Sequence, residues 1–265
     1  MSITPKTAHA LFPTKPFLSV GIDGCEDKWV AVAIKDSGFE VELYKSVAEI
    51  CEKYQSAKSP ENSIIIDMPI GLPDRAEDLR PDVLLRSKLK GRASTVFPVL
   101  GRKIVNATDY EQAKLLNKEL TGKTVVKQSF DIFYKIREID DFLRDNPEWK
   151  NRLVESHPEY CFALLNDNKP ILGDKKKAGG ECEIARIETL SKYYPEITLV
   201  IEEFRNLFNK RMKPENRYND LLDALALAIV GAIGLRHGFT YLPEIPTADS
   251  QGLLMQIVGA NIPQL

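Results

Sequence analysis

Cysteine, tryptophan and histidine are scarce in this chain, at four, two and three among 265 residues. Cys25, Cys51, Cys161 and Cys182 form no C-x-x-C pair, and no histidine stands at zinc-finger spacing, so neither a zinc site nor a disulfide framework is signalled. An excess of one charge is also missing. Thirty-six Lys and Arg face 38 Asp and Glu, for a formal charge of -2. That balance excludes a blanket electrostatic grip on nucleic acid but leaves room for a local basic patch. The most apolar stretch, residues 221–235, is short for a membrane span and opens with carboxylates. Residues 1–16 hold Pro, Thr, Lys and His without the apolar core of a signal peptide. These absences predict a cytoplasmic, reduced protein with no membrane partner. Gly91 and Gly101 belong to no G-x-x-x-x-G-K-S/T phosphate loop, and no internal repeat or low-complexity tract occurs. The composition, 43% hydrophobic and 28% charged, excludes disorder, collagen repeats and coiled coil.

What is present is a succession of apolar runs broken by turn residues. Residues 17–22, 29–34 and 39–44 predict three strands joined by short turns, an antiparallel meander. Residues 46–54 carry Val47, Ile50 and Cys51 at helical spacing, with Ser46 as N-cap, Glu49 completing a capping box and Cys51 as a core residue. The β-branched run 63–66 predicts a buried strand stopped by the prolines at 69 and 73. From 74 to 151 the pattern becomes helical and charged, with helices expected over 82–89, 109–120 and 129–145. A short strand at 153–156 is expected next, then a basic loop at 174–180 and helices over 181–194 and around 202–208. The last strong helix is expected over 219–235, capped by Asn219 or Asp220, before a proline-rich tail with one apolar run at 253–258. The expected fold is one α/β domain, a mixed five-stranded sheet flanked by helices. Its core is residues 17–73 and 152–258, with a largely helical insertion, 74–151, after the fourth strand.

The chemistry lies where carboxylates interrupt apolar elements. Asp23 ends the first strand, Asp67 ends the fourth, and Glu155 sits in the strand before His157. Asp220 and Asp223 stand at i, i+3 on the last helix, and so share a face. An unpaired carboxylate costs several kcal/mol to bury, so such positions suit a cation, and Mg²⁺ or Mn²⁺ takes oxygen ligands. Two ions about 3.5–4 Å apart would activate water and stabilise a leaving oxygen in phosphodiester cleavage. Each residue also has a plainer reading. Asp23-Gly24 is a turn pair, Asp67 a turn residue and Asp220 a helix cap, and Asp223 is the hardest to explain away. His157 reads as a general base or as a group orienting Glu155. Between Arg75 and Lys103 eight basic residues face three acidic ones. Arg92 and Arg102 there flank the 94–98 connector as candidate phosphate contacts, or else belong to a solvated face. The clusters at 175–177 and 210–213 read mainly as surface, and Tyr193, Tyr194, Phe204 and Phe208 as core.

Several motifs, taken together, resemble one family. Gly21-Ile22-Asp23-Gly24-Cys25 with Trp29-Val30-Ala31, and Ile66-Asp67-Met68-Pro69-Ile70-Gly71-Leu72, look like the opening motifs of domain of unknown function 429. Ser94-Thr95-Val96-Phe97-Pro98 is similar to its S-S-V-F-P run, and Gln128-Ser129-Phe130 with Lys135-Ile136 and Glu138-Ile139-Asp140 to its Q-x-F…K-I-x-E-x-D helix. Glu155-Ser156-His157-Pro158-Glu159 matches E-x-H-P-E. Asp220-Leu221-Leu222-Asp223-Ala224 matches D-x-x-D-A, a pattern also similar to the last helix of Holliday-junction resolvases. The resemblance covers about residues 18–258 and implies a ribonuclease H-like fold and nuclease activity. With the order of the carboxylates along the elements, it implies a divalent cation held by Asp23, Asp67 and Asp223, with Asp220 and Glu155 in supporting or second-ion roles and His157 among the catalytic residues. It also implies a basic role for Lys175 and Lys176, although Asp174-Lys175-Lys176-Lys177 lacks both hydroxyls of the family's S-K-K-T loop. Nucleic acid is the expected partner. Two other expectations stand beside it: an actin-like ATPase or small-molecule kinase, and a non-catalytic binding protein that keeps the fold.

Overall fold

A computed structural model describes residues 11–55, 62–75, 78, 80–122, 124–175, 177, 179–207 and 218–264. Strands β1 (Leu18–Cys25), β2 (Lys28–Lys35) and β3 (Gly38–Tyr44) form the expected meander. Helix α1 (Val47–Tyr54) begins at Ser46, whose Oγ accepts the Glu49 N–H at 3.3 Å. The Glu49 carboxylate closes the cap one residue earlier than a standard box, accepting from the Lys45 N–H at 2.8 Å. The chain crosses over α1 into β4 (Asn62–Ile66), which pairs parallel to β1, and β5 (Leu153–Glu155) pairs parallel to β4. The sheet order is β3-β2-β1-β4-β5, a mixed five-stranded sheet.

Strand alternation sends β1 and β4 side chains to two separate cores. On one face Val20, Ile22, Ile64 and Ile66 pack with α1 and with helices of the 74–151 segment, namely α3 (Arg102–Val105), α4 (Tyr110–Thr121) and α6 (Phe133–Asp145). That segment also holds α2 (Asp82–Lys88) and α5 (Lys127–Asp131). The single helix expected over 129–145 is therefore two, with Ile132 between α5 and α6. The other face is covered by α7 (Pro158–Leu165), α8 (Glu181–Tyr193), α9 (Ile197–Leu207) and α10 (Tyr218–His237).

Helix α10 is the axle of the molecule, buried without interruption from Leu221 to Gly234. At 20 residues it is longer than its apolar run suggested and passes a length-and-composition test for a membrane span, but its surroundings are sheet and helix. Tyr218 is already helical, so Asn219 and Asp220 lie within the helix rather than capping it. Its approach to β1 is very close. A Cβ on Gly21 would meet the Ala224 carbonyl oxygen at 1.9 Å, and one on Gly231 would meet Ser19 Oγ at 2.3 Å. Ser19 Oγ instead donates to the Ala228 carbonyl at 2.7 Å, satisfying a buried hydroxyl at the interlock.

Besides α3, two features after the fifth strand went unforeseen. Helix α7 follows β5 directly, with Pro158 at its first position. The proline-rich tail folds as a second, two-stranded antiparallel sheet of β6 (Phe239–Ala248) and β7 (Leu254–Ala260), with the prolines on a strand interrupted between Leu242 and Thr247. All four cysteines are free and buried.

Candidate functional site

Register brings the carboxylates together. Ile22 pairs with Ile66, and the Asp67 N–H donates to the Ile22 carbonyl at 2.9 Å, so Asp23 and Asp67 follow each other off adjacent parallel strands. Their side chains alternate onto the face where Ser19 and Gly21 meet α10. Asp223 enters from α10 near its N-terminus and is buried. The same field reaches Asp220. Burial raises the Asp23 carboxyl well above its ordinary value, and Asp67, Asp223 and Asp220 add to that. Asp67 is raised by burial and then by Asp223, against the pull of Lys175.

Asp223 has a different environment. Its Oδ1 accepts from Arg186 Nη1 at 2.8 Å and its Oδ2 from Lys175 Nζ at 3.2 Å. Burial favours the neutral acid, yet Lys175 and Arg186 outweigh it and hold Asp223 below the usual carboxylate range. The fully buried Arg186 also donates to Glu159 Oε1 at 2.6 Å, and Glu159 receives both arms of Arg92, at 2.7 and 3.1 Å. The result is an alternating chain, Arg92–Glu159–Arg186–Asp223–Lys175, in which each buried carboxylate touches two cations. Asp23 and Asp67 stand outside it. Among the described residues neither has an ion-pair partner, and Asp23 Oδ1 accepts the Gly24 N–H at 2.6 Å.

Glu155 borders the same cavity as Asp23 and Asp67, but its carboxylate is committed elsewhere. It lies in register with Ile66, whose side chain belongs to the opposite core. Its Oε1 accepts from Arg80 Nη2 at 2.6 Å and its Oε2 from the Ile70 N–H at 2.8 Å. Arg80 Nη1 in turn donates to the carbonyls of Ile70 and Gly71, both at 2.7 Å. Burial pushes Glu155 up to about 7 against Arg80. The expected ion ligand is therefore a clamp on the loop that follows Asp67.

His157 does not orient Glu155. Its Nδ1 accepts the Glu159 N–H at 3.2 Å as the N-cap of α7. Burial lowers its affinity for a proton, leaving a neutral ring whose other nitrogen faces the Thr95 backbone. With Nδ1 occupied, the ring has no lone pair for a general base. The two arginines expected to contact phosphate are also committed internally. Arg92 donates to Glu159 and to the Gly173 carbonyl, at 2.7 Å for the latter. Arg102 joins Asp140 to Asp249, and Asp249 accepts the Leu72 N–H at 2.9 Å. Both arginines read as basic surface because their partners lie 67 and 38 or more positions away in the chain. Lys176 and the 210–213 cluster lie outside the described residues, as does Phe208. Tyr193, Tyr194 and Phe204 are core, as expected.

Sequence reasoning missed Arg80, Arg186 and the pairing of Glu159. Arg186 did carry a signal: its spacing from Cys182, Thr189, Leu190 and Tyr193 puts a charge on the buried face of α8.

Asp23, Asp67, Glu155, His157, Glu159 and Lys175 line a cavity of about 350 Å³. Among the described residues no set of three or more Asp, Glu, His or Cys side chains gathers as ready ligands for a metal. Two carboxylates do converge, and a hard cation that keeps most of its water needs no more from the protein. Hence the fit to Mg²⁺ or Mn²⁺ rests on Asp23 and Asp67, with Asp223 already serving Lys175 and Arg186.

The family described as "Protein of unknown function (DUF429)" matches residues 21–247. No curated protein and no solved structure matches the chain. The match spans the meander, both strand-end carboxylates, the helical segment and α10, and the chain belongs to this family.

Proposed function

From that membership and this geometry, we propose that the protein hydrolyses phosphodiester bonds with a divalent cation, Mg²⁺ or Mn²⁺, held by Asp23 and Asp67 on a ribonuclease H-like fold. One observation carries the reading. Two buried carboxylates stand at the ends of adjacent parallel strands, Asp67 adds to the raised proton affinity of Asp23, and among the described residues neither has an ion-pair partner, beside a chain of charges that is otherwise matched. The strand order supports the fold assignment: a three-stranded meander followed by parallel strands β4 and β5.

A cation here would polarise a phosphoryl oxygen and lower the pKa of a bound water. The protein's residues have separable tasks. Asp23 and Asp67 supply the anionic ligands. Lys175, whose ammonium is held charged chiefly by Asp223, stands at the cavity to meet a phosphate oxygen. Asp223 positions Lys175, and Arg186 fixes Asp223. Glu155 and Arg80 hold the turn after Asp67 in place. The actin-like alternative requires a second copy of the fold. Among the described residues the C-terminal half instead supplies one strand to the sheet, helices and the β6–β7 hairpin.

The test is metal-dependent cleavage of RNA, DNA, hybrid, junction and dinucleotide substrates by wild type and Asp23→Asn. The expected result is cleavage that needs Mg²⁺ or Mn²⁺ and falls by about a thousandfold or more in the variant, as for loss of a central electrostatic group. Equal cleavage by Asp23→Asn would falsify the mechanism. Failure of the wild type to bind Mn²⁺ in calorimetry would favour a non-catalytic binding protein.

A further inference from the structure

The cavity beside Asp23 and Asp67 has two unlike walls. One carries the acidic groups and Lys175. The other is apolar, built from the 96–100 connector and the start of α6. Phe97 and Tyr134 lie on that second wall and are 40% and 47% exposed. Only three aromatic side chains are this open among the described residues, so two of the three stand at one cavity. Leaving a phenyl ring in water forgoes the burial that rings normally gain, and open rings suit the flat face of a ligand.

Size and charge narrow the ligand. A volume of about 350 Å³ sits at the low end of the ~300–1,000 Å³ typical of small-molecule pockets. A duplex would in addition need a track of cations along its backbone. The arginines beside the cavity are occupied, Arg80 by Glu155, Arg92 by Glu159, Arg102 by Asp140 and Asp249, and Arg86 by the Val96 carbonyl, and the exposed Lys88, Lys90 and Lys103 do not line it. Of the lysines in the cavity wall, Lys135 donates to the Lys28 carbonyl at 2.6 Å and lies over the Trp29 ring, whereas Lys175 meets Asp223 at 3.2 Å and its ammonium carries further N–H groups to offer a phosphate.

We infer that the substrate is a dinucleotide-sized phosphodiester, with one base against Phe97 and Tyr134 and its phosphate between Lys175 and the carboxylate pair. This deepens the hydrolytic reading and rests on it. Hydrolysis adds one water across the P–O bond. The water oxygen joins phosphorus, one proton leaves with the ribose oxygen, and a 5′-phosphorylated dinucleotide gives two mononucleotides.

The experiment uses the full chain with Mg²⁺ and two probes, the dinucleotide pApA and a long duplex DNA. Binding is read by calorimetry and cleavage by chromatography. pApA should bind and be cleaved in preference to the duplex. Phe97→Ala and Tyr134→Ala should each raise its KM about tenfold, while kcat stays within about twofold. Phe97→Trp and Tyr134→Phe should restore KM. Both positions are open to solvent, so an unchanged Tm in the alanine variants confirms that the effect is not unfolding. Preferential cleavage of duplex, with a steep salt dependence and no effect of the aromatic variants, overturns the inference and leaves the hydrolytic reading intact. Binding of pApA that depends on both rings, with no cleavage in either metal, supports the ligand class and removes the hydrolytic reading. An absence of both binding and cleavage overturns both.

Discussion

Where the 74–151 segment meets the sheet, buried carboxylates are matched by arginines: Arg80 serves Glu155 and Asp82, and Arg102 serves Asp140 and Asp249. On the face covered by α10, Glu159 and Asp223 are matched in the same way, but among the described residues Asp23 and Asp67 have no such partner. All of these residues look alike as letters in the sequence, an acid in or beside an apolar run. What separates them is whether the protein supplies the counter-charge. A matched carboxylate fixes the fold, and the unmatched pair is what the proposed cation would neutralise.

The contrast is sharpest if charges are removed from each group in turn. Arg80→Met and Arg186→Met should be the most damaging changes, each stranding buried carboxylates and costing about 3–5 kcal/mol in urea unfolding. A loss under about 1 kcal/mol in either would mean that the matched groups are not structural after all.

Asp23→Asn should act in the opposite direction, stabilising the protein by on the order of 1 kcal/mol at neutral pH without metal, as relief of a strained functional site does. The folded carboxyl binds its proton more tightly than the unfolded one, so the favourable protonated form is fully present below the unfolded value of about 3.9. That advantage is lost as pH rises through the raised folded value. The gain from Asn should therefore shrink as pH falls toward 4 in a thermal-melt series. A gain independent of pH would show that charge is not its source. Saturating Mn²⁺ should stabilise wild type more than the variant.

The smallest effect belongs to the open surface. Arg75 is 70% exposed at its side chain and meets Asp78 at 3.1 Å. Arg75→Ala should change stability by no more than about 0.5 kcal/mol. A larger loss by chemical denaturation would indicate that exposure is a poor guide to which ion pairs matter here.

Much of the sheet and the acidic pair was legible because both depend on local pattern. Alternation and turn residues mark β1 to β4, and the carboxylates stand at the ends of those runs. The roles of Arg92, Arg102 and Glu155 were not legible, because each depends on a partner brought in by tertiary folding. Glu155 shows why most plainly. A one-residue difference in register decides whether it joins Asp67 or turns to the far core, and register between distant strands is not written in either strand alone. Helix α7 and the β6–β7 hairpin were missed for a related reason. Proline punctuates both, and it opens a helix at Pro158 as readily as it ends a strand.

The interlock of Gly21 with the Ala224 carbonyl sets a gauge for the whole site. Because backbone rests on backbone there, the separation of the β1 and α10 main chains beside Asp23 is set by the absence of a side chain at one position. A methyl group added at Gly21 would push α10 off the sheet and carry Asp223, with its hold on Lys175 and Arg186, away from the strand ends.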